Sequence, residues 1–456
     1  MYILYNYVKS CNITCKLNVK LIIETERVKI ININNIPSID IGRIIASQRL
    51  KQNITQKDLS KGICSITYLS KLENNRMEGN DEIIHLICKR LRVDLSSMNK
   101  IRENFKENME LFYNSLSEDN QSAIEELWLH LVKLNTDIQN PKLKTYFSLL
   151  SARYYIYKQD IKKVSEILGD IGKLKKTLTE EQLAYYQYFS GLNQYLKGNY
   201  QAAANKVLEA FVLLKSIGYN DYHLIYHLAL LNSHMHNTTV AIFYSNSALQ
   251  YFQEELNYKR VIDCQIILGI NWTRVGEYEK ALEYYLKVLR VGKKSNDRFL
   301  VGKIYHNIGF LYQKKGDLLN SIKFFSKSLK YKQESELSYL NTIYYLADTH
   351  LSLPDDCDRA KYRVEEGLKL SLMCNNSEYH IKFKMLYLFH FNDNMDEYRE
   401  YLENVCIPFF KEKDDVKALC DCYVKIGDLL VNDNNYYKKG SYYYKMALNL
   451  MKTNKQ

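Results

Sequence analysis

Small residues recur at a nearly fixed interval in this chain, and that recurrence restricts the fold more than any other feature. Ser151, Gly191, Ala229, Gly269, Gly309 and Ala347 are separated by 40, 38, 40, 40 and 38 positions. The clearest unit is ILGINWTRVGEYEKALEYYLKVL, from Ile267 to Leu289. At helical period Gly269 and Ala281 mark where two antiparallel helices touch, and Gly276–Glu277 is the turn between them. The next unit carries Gly309, Tyr312, Gly316–Asp317, Ser321 and Phe325. Earlier ones carry Gly191, Gly198, Ala203 and Ala210, then Ala229, Ala241 and Ala248. A late copy reads Ile426–Gly427, Tyr436, Tyr444 and Ala447. One such hairpin cannot cover its own apolar face, so the copies must stack.

The order of small residue, aromatic, turn, aromatic and Ala resembles the tetratricopeptide pattern, stretched from about 34 residues. HEAT repeats have a similar period but not this order of residues. The fold class predicted is all-α: an N-terminal helix-turn-helix domain followed by a right-handed tetratricopeptide-like superhelical solenoid. The low count of 4 Pro and 17 Gly in 456 residues suits a nearly all-helical chain. The 40 Tyr accompany abundant Lys, Asn and Ile, so an aromatic residue by itself points to little here.

Residues 1–37 lack helical period and read as a poorly ordered extension, a short strand pair, or upstream sequence ahead of a later non-AUG start. From Ser38 the pattern changes. Ile41, Ile44 and Ile45 begin a first helix to about Lys51, and Thr55–Asp58 forms a capping box for a short second helix. Ser65 caps a third helix over Ile66–Glu73, with Leu69 and Leu72 inward. Asn74–Asn75 is expected to end it in left-handed geometry. Asp81 opens a fourth helix with Ile83, Ile84, Ile87, Cys88 and Leu91 on its inner face. Five short helices with a tight turn between the second and third make a helix-turn-helix domain over 38–100, leaving 101–456 to the repeats.

Seven basic residues face two acidic ones between Ile41 and Arg76, nearly half of the net +11 carried by the chain. That concentration suits attraction to phosphate. Thr67 and Lys71 lie four apart on the outward stripe of the third helix, placed to reach base edges in a major groove. Ser65 and Tyr68 share that side, although Tyr68 can equally pack on its neighbour.

TQKDLSKGICSITYLSKLENNR resembles the Xre-type DNA-binding domain, and its LS-x-x-IC-S…LSKLEN run is similar to that of the peptide-responsive regulators of RRNPP type (Rgg, NprR, PlcR and PrgX). These pair such a domain with an extended tetratricopeptide array. The resemblance runs over about residues 38–452 and is strongest over 41–95. It implies that Gln56 touches phosphate or base, that Asn75 and Arg76 touch the DNA backbone, and that Arg49 pairs internally with Glu73.

The first helix of each hairpin lines the concave face in tetratricopeptide arrays. Counting from the small residue as position eight, the inward set is Tyr185, Tyr188 and Tyr195; His223, Tyr226 and His234; Asp263, Thr273 and Arg274. Lys303, His306, Gln313 and Lys314 follow, then Asn341, Tyr344 and Asp348. An extended peptide can rest apolar side chains on the Tyr/His part while Arg274, Lys303 or Lys314 takes a carboxylate. Many of these tyrosines can equally seal adjacent helices. Asn193, Asn232 and Asn271 recur about 39 apart, but at positions ten or eleven, off that face.

Phosphate loops, zinc-protease motifs and nucleophile elbows do not occur, so no enzyme is expected. His223, His227, His234 and His236 lack carboxylate or Cys at ligand spacing, and no metal or cofactor is expected. The 10 scattered Cys suit reduced thiols in the cytoplasm, and no apolar run reaches membrane length. The reading is a cytoplasmic transcription regulator, acting as a homodimer on an inverted repeat in duplex DNA and controlled by a short linear signalling peptide in quorum sensing. The alternative is an interaction module that inhibits a partner such as a sporulation phosphorelay response regulator.

Overall fold

The structure, a computed structural model, describes residues 41–453 apart from 75, 78, 119, 137, 139, 414 and 433–435. The 1–37 extension and Asn75 lie outside the described residues. Within them the chain is helical and has no strand. It divides into two compact units that part between Leu231 and Asn232.

In the first unit, α1 (Ile41–Lys51), α2 (Gln56–Ser60), α3 (Ile66–Glu73) and α4 (Asp81–Leu91) build the helix-turn-helix. Thr55 caps α2, its hydroxyl accepting from Asp58 N, and Ser65 caps α3 by accepting from Tyr68 N. Ile45, Leu59, Leu69, Leu72, Ile84, Ile87, Cys88 and Leu91 form one core, with Ile83 at its margin. Of the left-handed end expected over Asn74–Asn75, the Asn74 half does not hold. Asn74 has φ −94° and ψ 10°, not the left-handed region. Its amide N–H and its own side-chain Nδ2 both reach Ser70 O, so Asn74 itself bonds that carbonyl.

The fifth helix is not short. α5 runs from Leu95 to Glu118, straight through residue 100. It buries Phe105, Met109, Phe112, Tyr113 and Leu116, an i, i+4, i+7 stripe. Beside it, α6 (Gln121–Asn135) sets Trp128 against Tyr154 of α7 (Pro141–Tyr157), ring centroids 4.3 Å apart and nearly parallel. Two hairpins complete the regular part of this unit: α7 with α8 (Ile161–Lys173), and α9 (Glu180–Leu196) with α10 (Tyr200–Ser216). Asp221 then caps α11 (Tyr222–His234): Oδ1 accepts from His223 N and Leu224 N, and Oδ2 from the Tyr113 hydroxyl at 2.9 Å. Burial pushes the Asp221 carboxyl above its ordinary range.

In the second unit the hairpins continue as α12 (Thr238–Glu254), α13 (Tyr258–Arg274), α14 (Tyr278–Lys294), α15 (Arg298–Lys315), α16 (Leu318–Leu329), α17 (Leu337–Leu351) and α18 (Cys357–Met373). α19 (Ser377–Phe391) follows, then a bent partner made of α20 (Met395–Tyr401), a π turn over Leu402–Cys406 and α21 (Ile407–Glu412). The last pair is α22 (Val416–Asn432) and α23 (Tyr437–Thr453). The periodic small residues sit where the helices of a pair meet. A Cβ on Gly269 would lie 2.4 Å from Tyr285 Cε1, and one on Gly309 would lie 2.7 Å from Phe325 Cδ1. Gly276 and Gly316 turn the chain at φ +83° and +84°, a conformation L side chains resist.

Candidate nucleic-acid interface and ligand face

On α3, Ser65, Thr67 and Lys71 are exposed, and so is Arg76 just beyond it. Tyr68 turns inward: it is half-buried against the helix-turn-helix core, and its hydroxyl accepts from Asn80 N at 2.7 Å. Gln56 is also engaged. Its Nε2 donates to Glu73 Oε2 at 2.6 Å, so in this conformation it is a brace rather than an open donor. Glu73 in turn holds Arg49 through Nε at 2.7 Å and Nη2 at 2.9 Å, the internal pair that the resemblance implied. Ile66 was passed over. It is 47 % exposed at the first position of α3 and is not packed against the core, so an apolar group stands beside Thr67. The missed signal was its angular position, a quarter-turn away from the mean direction of Leu69 and Leu72.

The repeat residues divide by unit. In the first, Tyr185, Tyr188, His223 and Tyr226 are buried between helices instead of lining an open face. Tyr188 is only 1 % exposed, with its hydroxyl 2.8 Å from His227 Nδ1; Tyr185 reaches Asp221 Oδ2 at 3.4 Å. A phenol long enough to span the seam finds a polar partner across it, and burial with that hydrogen bond outweighs exposure. Tyr195 stays half-buried beside Tyr200, ring centroids 5.7 Å apart. Asn193 is buried too, donating to Ser165 Oγ.

In the second unit several expected residues bond from one repeat to the next. Gln313 Nε2 donates to Asp348 Oδ2 at 2.9 Å and to Thr349 Oγ1 at 3.1 Å. His306 Nδ1 lies 3.1 Å from Thr342 Oγ1, Asn341 accepts from the Tyr379 hydroxyl at 2.8 Å, and Tyr344 packs on Tyr379 and Phe383. Burial, helped by Lys332, drops His306 to about 3, so it is neutral at any ordinary pH. Thr273 is buried on Gly269 O, and Asp263 pairs with Arg260. His234, Arg274, Lys303 and Lys314 remain exposed, Lys314 lying 5.3 Å from the Phe310 ring centre.

Three charged residues of α22 were missed: Lys417, Asp421 and Lys425, four apart on one stripe. Lys417 acts through space on His236, Asp421 on Tyr344, and Lys425 on both Asp348 and His390. Extending the register back from Gly427 puts Asp421 at position two, so the sequence did carry a signal for it. Asp348 is raised by burial, against the pull of Gln313. Among the described residues no group of three or more metal-ligating side chains forms, and no helix is long and apolar enough to cross a membrane.

The helix-turn-helix family profile matches residues 45–97. The transcriptional activator NprA of Geobacillus stearothermophilus is 28 % identical over 408 residues, covering 86 % of this chain and 99 % of that one. The apo form of the quorum sensor NprR from B. thuringiensis superposes with a TM-score of 0.66 at 26 % identity, over 77 % of this chain and 99 % of NprR. NprR in complex with its cognate peptide NprX gives 0.62 at 25 % identity, over 77 % and 98 %. With a helix-turn-helix at its head, paired helices behind it and likeness to NprA and NprR over most of both chains, this chain resembles the RRNPP-type regulators.

Proposed function

We propose that this protein is a cytoplasmic, sequence-specific DNA-binding transcription regulator controlled by a short signalling peptide bound on its repeat array. The observation that carries the reading is a helix-turn-helix whose third helix leaves Ser65, Ile66, Thr67 and Lys71 open, on the same chain as a repeat array that leaves Arg274, Lys303 and Lys314 open. The transcriptional role named for NprA and the peptide bound in the NprR complex support it.

The protein is expected to bind an inverted repeat as a homodimer. Replacing Thr67 and Lys71 together by Ala should remove sequence preference, because groove contacts specify. Replacing Arg76 should weaken all duplexes alike and lower the salt slope, because phosphate contacts only position. Gel-shift titration on DNA flanking the gene, against scrambled duplex, reads both. Undiminished specific binding by the double variant would remove α3 as the reader. A protein with no specific DNA binding would instead be a protein-binding module.

For the array, a peptide of roughly five to ten residues is expected, held along the inner face with its carboxylate on Arg274. A charge-assisted contact is worth about 1.5–3 kcal/mol, so Arg274→Ala should weaken a peptide encoded beside the gene roughly ten-fold or more. Calorimetry checks it; equal affinity of Arg274→Ala and the parent removes Arg274 from the site.

A further inference from the structure

A recognition helix touches base edges with its N-terminal residues, so the first turn of α3 is the part that enters a major groove. Ser65 sets that turn, its hydroxyl accepting from Tyr68 N at 3.1 Å. Ile66 follows as the first helical residue and is 47 % exposed, while Leu69 and Leu72 are buried in the core. Helical side chains lean towards the N-terminus, so Ile66 projects past the head of α3 instead of back along it. At about 100° per residue it stands on one flank of the outward stripe centred on Thr67, and Tyr68 stands on the other. Tyr68 is drawn inward, its hydroxyl accepting from Asn80 N at 2.7 Å. Ile66 stays open.

Several polar groups around this turn are already engaged. The Ser65 hydroxyl accepts within its cap, the Tyr68 hydroxyl accepts from Asn80 N, and Gln56 Nε2 donates to Glu73 Oε2 at 2.6 Å. Thr67 and Lys71 are exposed and suit the polar atoms of base edges. Ile66 has no hydrogen bond to offer from its side chain, and the major groove presents one apolar group, the C5-methyl of thymine. Against a purine edge Ile66 would cover a donor or acceptor and strip it of water, at a cost. Cytosine offers only C5–H, one methyl less. β-Branching leaves Ile66 one strongly preferred χ1 rotamer in a helix, so its methyl groups are in place before DNA arrives. Exposure alone does not set it apart, since Leu50 on α1 and Leu86 on α4 are 64 % and 47 % exposed. Its place at the head of α3 does.

We propose that Ile66 is a specificity-determining residue that packs on the C5-methyl group of a thymine in each operator half-site. The proposal rests on the DNA-binding reading above and names what the apolar part of the reading face recognises. Thr67 and Lys71 then select by hydrogen bond and charge, and Ile66 selects thymine over cytosine by contact with a single methyl group.

Deoxyuridine differs from thymidine by that methyl alone, and this makes the contact testable. In a flanking duplex that the full chain binds specifically, each thymine is replaced in turn by uracil. Affinities are read by gel shift for the parent, Ile66→Ala, Ile66→Val and Thr67→Ser. Burial of one methyl is worth about four-fold in affinity. One thymine per half-site is therefore expected to show a loss of about that size in the parent and most of it in Ile66→Val. Ile66→Ala should bind the thymine duplex more weakly and show no further loss with uracil. Its salt slope should match the parent's, because no phosphate contact has gone. Ile66 is exposed, so these variants leave the core of the module intact. Thr67 also carries a methyl, which Thr67→Ser removes while keeping the hydroxyl. If the uracil loss vanishes in Thr67→Ser and persists in Ile66→Ala, Thr67 reads the methyl and the proposal is overturned. Equal losses in the parent and Ile66→Ala, or no loss at any thymine while specific binding persists, overturn it as well and leave the DNA-binding reading standing. If no duplex is bound specifically, the DNA-binding reading fails and takes this inference with it.

Discussion

Replacing Glu73 by Ala is expected to unfold the helix-turn-helix and abolish specific DNA binding. The carboxylate takes two hydrogen bonds from Arg49 and one from Gln56, and the Arg49 and Glu73 side chains are only 12 % and 5 % exposed. Removing it leaves a guanidinium held by Ile54 O alone, in a place water barely reaches. Breaking a buried pair from one side costs about 3–5 kcal/mol, far more than the pair adds over an apolar substitute. A helical module of roughly fifty residues has only about 3–8 kcal/mol to lose. Hydrogen exchange at the amides of Leu69 and Leu72 should rise to that of an unfolded segment, while the repeat hairpins stay protected. Glu73→Gln keeps the shape and one acceptor, so it should lose less. Unchanged protection in Glu73→Ala would show that the pair contributes nothing.

Two alanine substitutions a hundred residues apart should move stability in opposite directions. In Gly269→Ala the new methyl would meet Tyr285 at 2.4 Å from Cε1 and 2.8 Å from Cδ1, and that ring is buried against the neighbouring helices. Overpacking of this kind costs about 1–3 kcal/mol, more than the gain of up to about 1 kcal/mol that Ala has over Gly inside a helix. In Gly169→Ala, on α8, the methyl would meet nothing within 4 Å, so the helix gain stands alone. Melting should fall by several degrees in the first variant and hold or rise slightly in the second. If Gly269→Ala melts like the parent, the close approach of α13 and α14 is not what the small residue serves.

Local signals carried far in this chain. The Thr55 and Ser65 caps and the 40-residue recurrence are written in neighbouring residues, so α3 begins and ends where the sequence places it and Gly269 meets Tyr285. The inner face was less legible. In a sequence with 40 Tyr, position alone cannot tell a ring that lines a surface from one that seals a seam. Tyr188 and Tyr185 are drawn inward by His227 and Asp221, partners about 39 and 36 residues away that only folding brings close. Gln56 likewise looks free until Glu73 arrives from 17 residues on. The charged stripe of α22 was legible only in part: the register back from Gly427 reaches Asp421, while the action of Lys417 on His236 and of Lys425 on Asp348 depends on folding.

The polar bonds between successive repeats bear on modular engineering of such arrays. Asn271 reaches back 38 residues to Ser233, Asn193 reaches back 28 to Ser165, and Gln313 reaches forward 36 to Thr349. Each sits in a largely apolar seam, and the acceptor stands at a different place each time: Ser165 on α8, Ser233 near the end of α11 and Thr349 near the end of α17. A hairpin transplanted from one place in the series to another would arrive with its polar group facing a neighbour that cannot answer it, and a buried donor left so costs about 1–3 kcal/mol. Hairpins of similar length and helical pattern are thus keyed parts, each admitting a single order of assembly.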